Sequence, residues 1–204
     1  MRATASPWRT LTAGAVMAVL WTGSASAAVP APTAGRGSYG ELHSLADLSA
    51  QRLGTAELVA AAKWGTGGPV DDPAREQRVL DAAARQAREV RADPVATVQI
   101  FRDQIEANKQ VQRALHSRWN ANPADAPGET PDLSEVREKI NRLNLALVRG
   151  IAVSAGPRAA PSCRATLTAA TVRVRHDRRL ERVRSTALAL ALRSVCAGAS
   201  AGAS

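Results

Sequence analysis

The chain has 204 residues, 45% of them hydrophobic and 22% charged, with 27 Lys and Arg against 18 Asp and Glu. That length suits a single domain, and the net charge of +9 favours an anionic partner without saying whether it is nucleic acid, a membrane surface or a small acid. Its two cysteines have neither C-x-x-C spacing nor neighbouring histidines, which argues against a zinc or dithiol redox centre.

The N-terminus reads as an address. Arg2 and Arg9 flank the start of an apolar run, Leu11 to Trp21, and Ala25-Ser26-Ala27 offers small residues for cleavage. The run is shorter than the roughly 20 residues a bilayer span needs. Residues 1–27 are therefore expected to be a cleaved signal peptide. Its loss removes Arg2 and Arg9 and takes the net charge from +9 to +7. Residues 28–40, rich in Pro, Ala and Gly, read as a flexible leader. No later segment is apolar and long enough to span a membrane.

From residue 41 nearly every segment reads as helix, because Ala, Leu, Arg, Glu and Gln dominate and strand-type alternation is absent. The first helix is expected over about 41–64, with a possible interruption at Gly54-Thr55. The second opens on Asp72-Pro73, a cap followed by proline at the first helical position, and runs to about Arg91. The third opens on the same signal, Asp93-Pro94, and runs to about Trp119. A proline-bearing loop, 120–131, leads to a fourth helix capped by Asp132 and ending near Val153. A Gly/Pro/Ala linker, 155–161, precedes a helical hairpin with its turn near His176 to Arg179. Residues 197–204 form a low-complexity tail expected to be disordered. The fold class is thus all-α, a single-domain bundle of about six helices over 41–196.

Export places Cys163 and Cys196 in an oxidising compartment, where an even pair reads as a disulfide. The two are 33 residues apart and would staple the ends of the hairpin, a closure worth about 3–4 kcal/mol in the chain-entropy model.

Polar residues stand where the core should be. The apolar stripe of the third helix runs Phe101, Ile105, Asn108, Gln112, Leu115, Trp119, at spacings of 4, 3, 4, 3 and 4. Two neutral amides sit in it, one turn apart, and a buried amide requires a partner, either facing backbone, a water or a ligand. The first helix repeats the anomaly with charge: its stripe is Leu45, Leu48, Arg52, Ala56, Val59, Lys63. Arg52 and Lys63 lie about three turns, or about 16 Å, apart on one face. Each could snorkel to solvent, or both could reach into one cavity. Lysine is scarce here, confined to Lys63, Lys109 and Lys139. The fourth helix places Arg137 beside Leu133, Val136, Ile140, Leu143 and Leu147. The start of the second offers Asp72, as cap or as ligand, with Arg75 and Glu76. A pocket walled by these residues suits a small ligand carrying more than one carboxylate. His43, His116 and His176 have neither triad nor metal spacing, and no glycine-rich phosphate loop precedes a helix. Arg173, Arg175, Arg178, Arg179, Arg182 and Arg184 near the hairpin turn suggest a nucleic-acid surface, but few aromatics and no recognition motif accompany them; a solvated basic face fits better.

The order and spacing of several segments resemble the exported, gamma-subclass all-helical (AroQ-class) chorismate mutases. The similarity rests on Arg52-Leu53, on Val59 to Trp64 (VAAAKW), on Pro69 to Arg75 (PVDDPAR), on Asp93-Pro94, on Phe101 to Ile105 (FRDQI), on Asn122 to Pro127 (NPADAP), on Pro131 to Ser134 (PDLS), and on the two cysteines.

The resemblance implies the Claisen rearrangement of chorismate to prephenate, with no cofactor and no metal. It implies carboxylate-binding arginines at Arg52 and Arg137, and a lysine at Lys63 that contacts the ether oxygen and a carboxylate. It further implies substrate contacts from Asp72 and Arg75, from Glu76 toward the substrate hydroxyl, and from Asn108, with Gln112 facing the ether oxygen. Catalysis is then expected from Lys63 and Gln112. Asn108 departs from the Ser or Thr common at its position, and the glycine-rich stretch Gly65 to Gly68 departs from bulkier residues. The resemblance also implies a homodimer with each pocket built within one chain, and no nucleic-acid or membrane partner after signal cleavage. A non-catalytic secreted bundle that binds another protein is the alternative, but it has no need of Arg52, Lys63, Gln112 and Arg137 around one cavity.

Overall fold

The computed structural model describes residues 33–196, with side chains from residue 37. The signal peptide expected at 1–27 and the tail expected at 197–204 lie outside the described residues. Those residues form eight α-helices and one 3-10 turn, without a strand: α1 Thr33–Gly54, α2 Ala56–Thr66, α3 Pro73–Glu89, α4 Pro94–Ala121, α5 Leu133–Val153, α6 Ala155–Ala159, α7 Cys163–Asp177 and α8 Arg182–Ala191, with the 3-10 turn at Pro123–Asp125.

Helix starts are set by caps. The Asp72 carboxylate accepts from Arg75 N, that of Asp93 from Val95 N and Ala96 N, and that of Asp132 from Ser134 N. At the first two, Pro73 and Pro94 fill the first helical position, where a missing N–H costs nothing. The 28-residue α4, about 42 Å long at 1.5 Å per residue, is the axis of the bundle. It packs against α8, α3 and α2, while α1 packs against α7 and α5. The core holds Leu42, Leu45, Ile100, Phe101, Leu147, Ile151 and Leu188, fully buried, with many alanines that let helices approach closely. Trp64, His116 and Trp119 form a second cluster between α2 and α4, with ring centroids 5.4 to 5.6 Å apart.

Cys163 and Cys196 form a disulfide, with Cα atoms 5.9 Å apart, joining the start of α7 to the segment after α8. Asp103, 1% exposed on α4, anchors the same segment by accepting from Arg193 Nη2 at 2.5 Å and from Ser194 N at 3.0 Å.

Three boundaries differ from the sequence reading. Helix α1 starts at Thr33 rather than near Glu41, so it includes the end of the stretch read as leader; its glycines disguise it, but Tyr39 packs on His43 one turn later, with ring centroids 5.8 Å apart. The stretch read as linker contains α6, in which Pro157 sits in the first turn, where a proline is tolerated. The hairpin turn falls at 178–181, slightly later than expected, with Arg179 in the left-handed region (φ 49°). The expected interruption at Thr55 is present. Thr55 N and Thr55 Oγ1 both donate to the Arg52 carbonyl, at 3.1 and 2.7 Å, so the ladder tightens there and α1 gives way to α2.

Candidate active site

A cavity of about 120 Å³ lies between α1–α2, α3, α4 and α5. All eight residues singled out in the sequence line it: Arg52, Lys63, Asp72, Arg75, Glu76, Asn108, Gln112 and Arg137. Val59, Val79, Ile105, Leu133 and Ile140 supply apolar wall. A larger surface groove of about 900 Å³ runs past the α3–α4 turn; it is lined by Arg88, Arg91, Arg102 and Arg158 but by no buried amide.

Arg52 forms the floor. It is 5% exposed. Its Nε donates to Asn144 Oδ1 at 2.8 Å and its Nη1 to the Gln104 carbonyl at 3.0 Å, and the guanidinium lies 5.9 Å from the Phe101 ring centroid. Gln104 is itself fixed, donating to Ser49 Oγ and to the Ala191 carbonyl. No carboxylate pairs with Arg52 among the described residues, and burial lowers its pKa to about 10. A charge held this deep, with two hydrogen bonds but no counter-ion, can receive an anion.

Lys63 approaches from the end of α2. Its Nζ donates to the Val70 carbonyl at 2.8 Å. The chain returns to bring that carbonyl there because Gly67 ends α2 in the left-handed region (φ 66°) while Gly68 N bonds the Lys63 carbonyl. Burial pushes the Lys63 ammonium below the ordinary lysine value, and Asp72, Asp71 and Glu76 pull it part of the way back.

Arg75 and Arg137 flank the mouth, one on α3 and the other, exposed, on α5. Neither side chain has a hydrogen-bond or ion-pair partner among the described residues. Burial and then the neighbouring Arg137 charge depress the Arg75 pKa. Two adjacent unpaired cations repel until an anion arrives between them.

The amides on α4 form a relay. Asn108 Nδ2 donates to the Arg52 carbonyl at 3.4 Å, and Gln112 Nε2 donates to Asn108 Oδ1 at 2.7 Å. Gln112 Oε1 is buried with no partner. The second hydrogen on Gln112 Nε2 remains available to a ligand. Asp72 caps α3 and also lines the cavity.

Lys109, Thr55, Asn144 and Gln104 were not picked out by the sequence reading. Lys109 belongs to the wall, as does Thr55. Asn144 carried a readable signal: it lies four residues after Ile140 and three before Leu147, an amide inside an apolar stripe like Asn108. The basic residues near the hairpin turn are largely engaged within the fold. Arg173 pairs with Asp177, Arg178 with Asp47 and Arg184 with Glu57, while Arg175 donates to the Ser185 carbonyl.

The arrangement can hold a dianion between three arginines and a lysine and place N–H donors along one edge of it. Residues 43–113 match the family profile of chorismate mutase type II. Over 172 residues, 84% of this chain and 95% of the relative, the chain is 40% identical to the secreted chorismate mutase of Mycolicibacterium smegmatis. It is 35% identical over 165 residues, 81% of this chain and 83% of the relative, to the secreted chorismate mutase of Mycobacterium tuberculosis. The crystal structure of chorismate mutase from Burkholderia thailandensis superposes with a TM-score of 0.73 at 35% identity, covering 76% of this chain and 99% of that one.

Proposed function

Because this chain belongs to the type II, all-helical chorismate mutases, we propose that the cavity between α1–α2, α3, α4 and α5 is where it rearranges chorismate to prephenate. The protein is an isomerase and an exported one, like the secreted relatives that match most of its length. The observation that carries the assignment of the site is the set of four cations, Arg52, Lys63, Arg75 and Arg137, that converge on one cavity without a carboxylate within ion-pair distance among the described residues.

The reaction is intramolecular. The ether C–O bond to the ring breaks as the methylene end of the enolpyruvyl group bonds to the ring, with no proton or electron supplied from outside. What a protein can contribute is conformation and charge. Arg52, Arg75 and Arg137 grip the two carboxylates and hold the side chain folded over the ring, replacing a rare conformer in water by the bound one. Negative charge grows on the ether oxygen as its bond to the ring breaks. Lys63 Nζ and the free N–H of Gln112 donate to that oxygen, and both bonds strengthen toward the transition state. Asn108 steadies Gln112 and adds an amide to the polar edge. Asp72 keeps the mouth of α3 in place, and Glu76 accepts from the ring hydroxyl. The cavity is walled by one chain, which fits a homodimer whose sites are separate.

The test is loss of chorismate absorbance with oxidised protein lacking residues 1–27, beside Lys63→Ala. Saturable turnover that collapses in the variant supports the assignment. Wild-type turnover that survives Lys63→Ala would move the site elsewhere.

A further inference from the structure

One cation of the cavity wall behaves unlike the other four. Lys109 Nζ lies 3.1 and 3.2 Å from the two Glu76 oxygens, 3.1 Å from Asp71 Oδ1 and 2.6 Å from Glu106 Oε1. Its side chain is 10% exposed. Burial disfavours its charge, yet hydrogen bonds to Glu106, Glu76 and Asp71 outweigh burial and raise its pKa, so the ammonium stays charged at any pH of interest. An ammonium has three N–H donors, and three carboxylates already surround this one. Lys109 therefore has no free donor for a substrate carboxylate.

Its three partners come from different places. Asp71 is in the loop between α2 and α3, Glu76 is in the first turn of α3, and Glu106 lies one turn before Lys109 on α4. Only Glu76 shares the cavity wall with Lys109. Asp71 is tied back a second time, accepting from Arg113 Nη2 at 2.6 Å. Without the ammonium, three carboxylates would crowd one spot, and Glu76, 26% exposed on a flexible side chain, is free to swing toward solvent. With it, both Glu76 oxygens are drawn to one point while each keeps a lone pair for a further donor.

We infer that Lys109 is a positioning residue that fixes the Glu76 carboxylate in the cavity as the acceptor for the ring hydroxyl, so that recognition of the hydroxyl depends on a residue one step removed from the substrate. The inference rests on the chorismate reading of the cavity. It makes a particular claim: Lys109 matters for the hydroxylated substrate and not for the carboxylates, which belong to Arg52, Arg75 and Arg137.

The experiment compares chorismate with its analogue lacking the ring hydroxyl, measuring KM and kcat in the wild type, Lys109→Met, Glu76→Gln and the double variant. Lys109→Met should raise KM for chorismate about tenfold, the size expected from one hydrogen bond to a charged group, with a smaller change in kcat. KM for the deoxy analogue should move less than about twofold, and Lys109→Arg, which keeps the charge, should restore part of the chorismate KM. Glu76→Gln should erase the effect of Lys109→Met in the double variant. Equal losses on both substrates, or losses that multiply in the double variant, would overturn the inference while leaving the mutase assignment intact. A wild-type protein that fails to turn over chorismate would instead overturn that assignment. If Lys109→Met does not fold, Lys109→Arg decides with and without Glu76→Gln: an effect on chorismate KM that vanishes in the Glu76→Gln background supports positioning, and one that persists there overturns it.

Discussion

Gln112 Nε2 donates to Asn108 Oδ1 at 2.7 Å, and Asn108 Nδ2 donates in turn to the carbonyl of Arg52, the residue at the cavity floor. The amide of Gln112 is thereby oriented by the main chain of the opposite helix. A flipped Asn108 would set two carbonyl oxygens against each other, so the relay runs one way. The tightened turn at Thr55 belongs to the same device, since Thr55 also donates to the Arg52 carbonyl.

Removing the donor should cost more than removing its support. Gln112→Ala is expected to lower kcat by about 10²–10³, as for loss of one transition-state hydrogen bond. Asn108→Ala should lower it by about tenfold, since Gln112 survives but loses the bond that aims it. Steady-state kinetics at saturating chorismate checks both, and a larger loss for Asn108→Ala than for Gln112→Ala would contradict the relay.

Gln112 does not titrate, so kcat should be flat between pH 5 and 8. Gln112→Glu should convert this into a steep dependence, because only the protonated carboxyl can donate to the ether oxygen. Activity in that variant should fall as pH rises. A wild type whose kcat falls steeply across the same interval would argue against Gln112 at that position.

An alkaline limb is expected from the depressed cations. Burial lowers Lys63 below the ordinary lysine value and Arg52 to about 10. For a base with a lowered pKa the charged form is lost as pH rises through that value, so kcat/KM should fall on the alkaline side earlier than an ordinary lysine would dictate. Bound substrate carboxylates favour the charged forms, so the limb in kcat should lie at higher pH than the limb in kcat/KM. Paired pH profiles of the two quantities check the order.

Gly67 holds a left-handed conformation in the turn that returns the chain to Val70. Gly67→Ala should lower stability by about 1 kcal/mol through backbone strain. It should also reduce activity, because Val70 supplies the carbonyl that holds Lys63. Urea unfolding and chorismate turnover on one preparation separate the two effects.

Replacing Cys163 and Cys196 together by serine should cost about 3–4 kcal/mol of stability, the entropy returned to the unfolded chain. Activity at 25 °C should remain, since Asp103 still anchors Arg193 and Ser194 to α4. Denaturant titration and turnover of the double variant provide the measurements.

Much of the fold was legible because its signals are local. Asp72-Pro73, Asp93-Pro94 and Asp132 announce helix starts through bonds made within three residues. Asn108 and Gln112 betray the cavity because an amide in an apolar stripe is an unpaid desolvation unless something answers it. Lys109 was hidden for the opposite reason. It stands next to Asn108 and looks like a surface charge, and what makes it unusual is Glu76, 33 residues away on another helix. Helix α6 and the start of α1 were hidden because glycine and proline weaken the propensity signal, and α6 is held in part by a tertiary bond, from Arg158 Nε to the Val195 carbonyl. Asn144 was readable by the rule that found Asn108, and marks where the rule extends.

The aromatic cluster of Trp64, His116 and Trp119 gives the molecule an optical property. Of the four tryptophans, Trp8 and Trp21 lie in the segment read as the export signal, so a chain trimmed after Ala27 keeps Trp64 and Trp119 alone, 5.6 Å apart. All indole fluorescence of that chain then arises at one spot, beside Lys63 and against an imidazole able to quench it. Its intensity and colour become a private record of what happens at the end of α2, readable without label or dye.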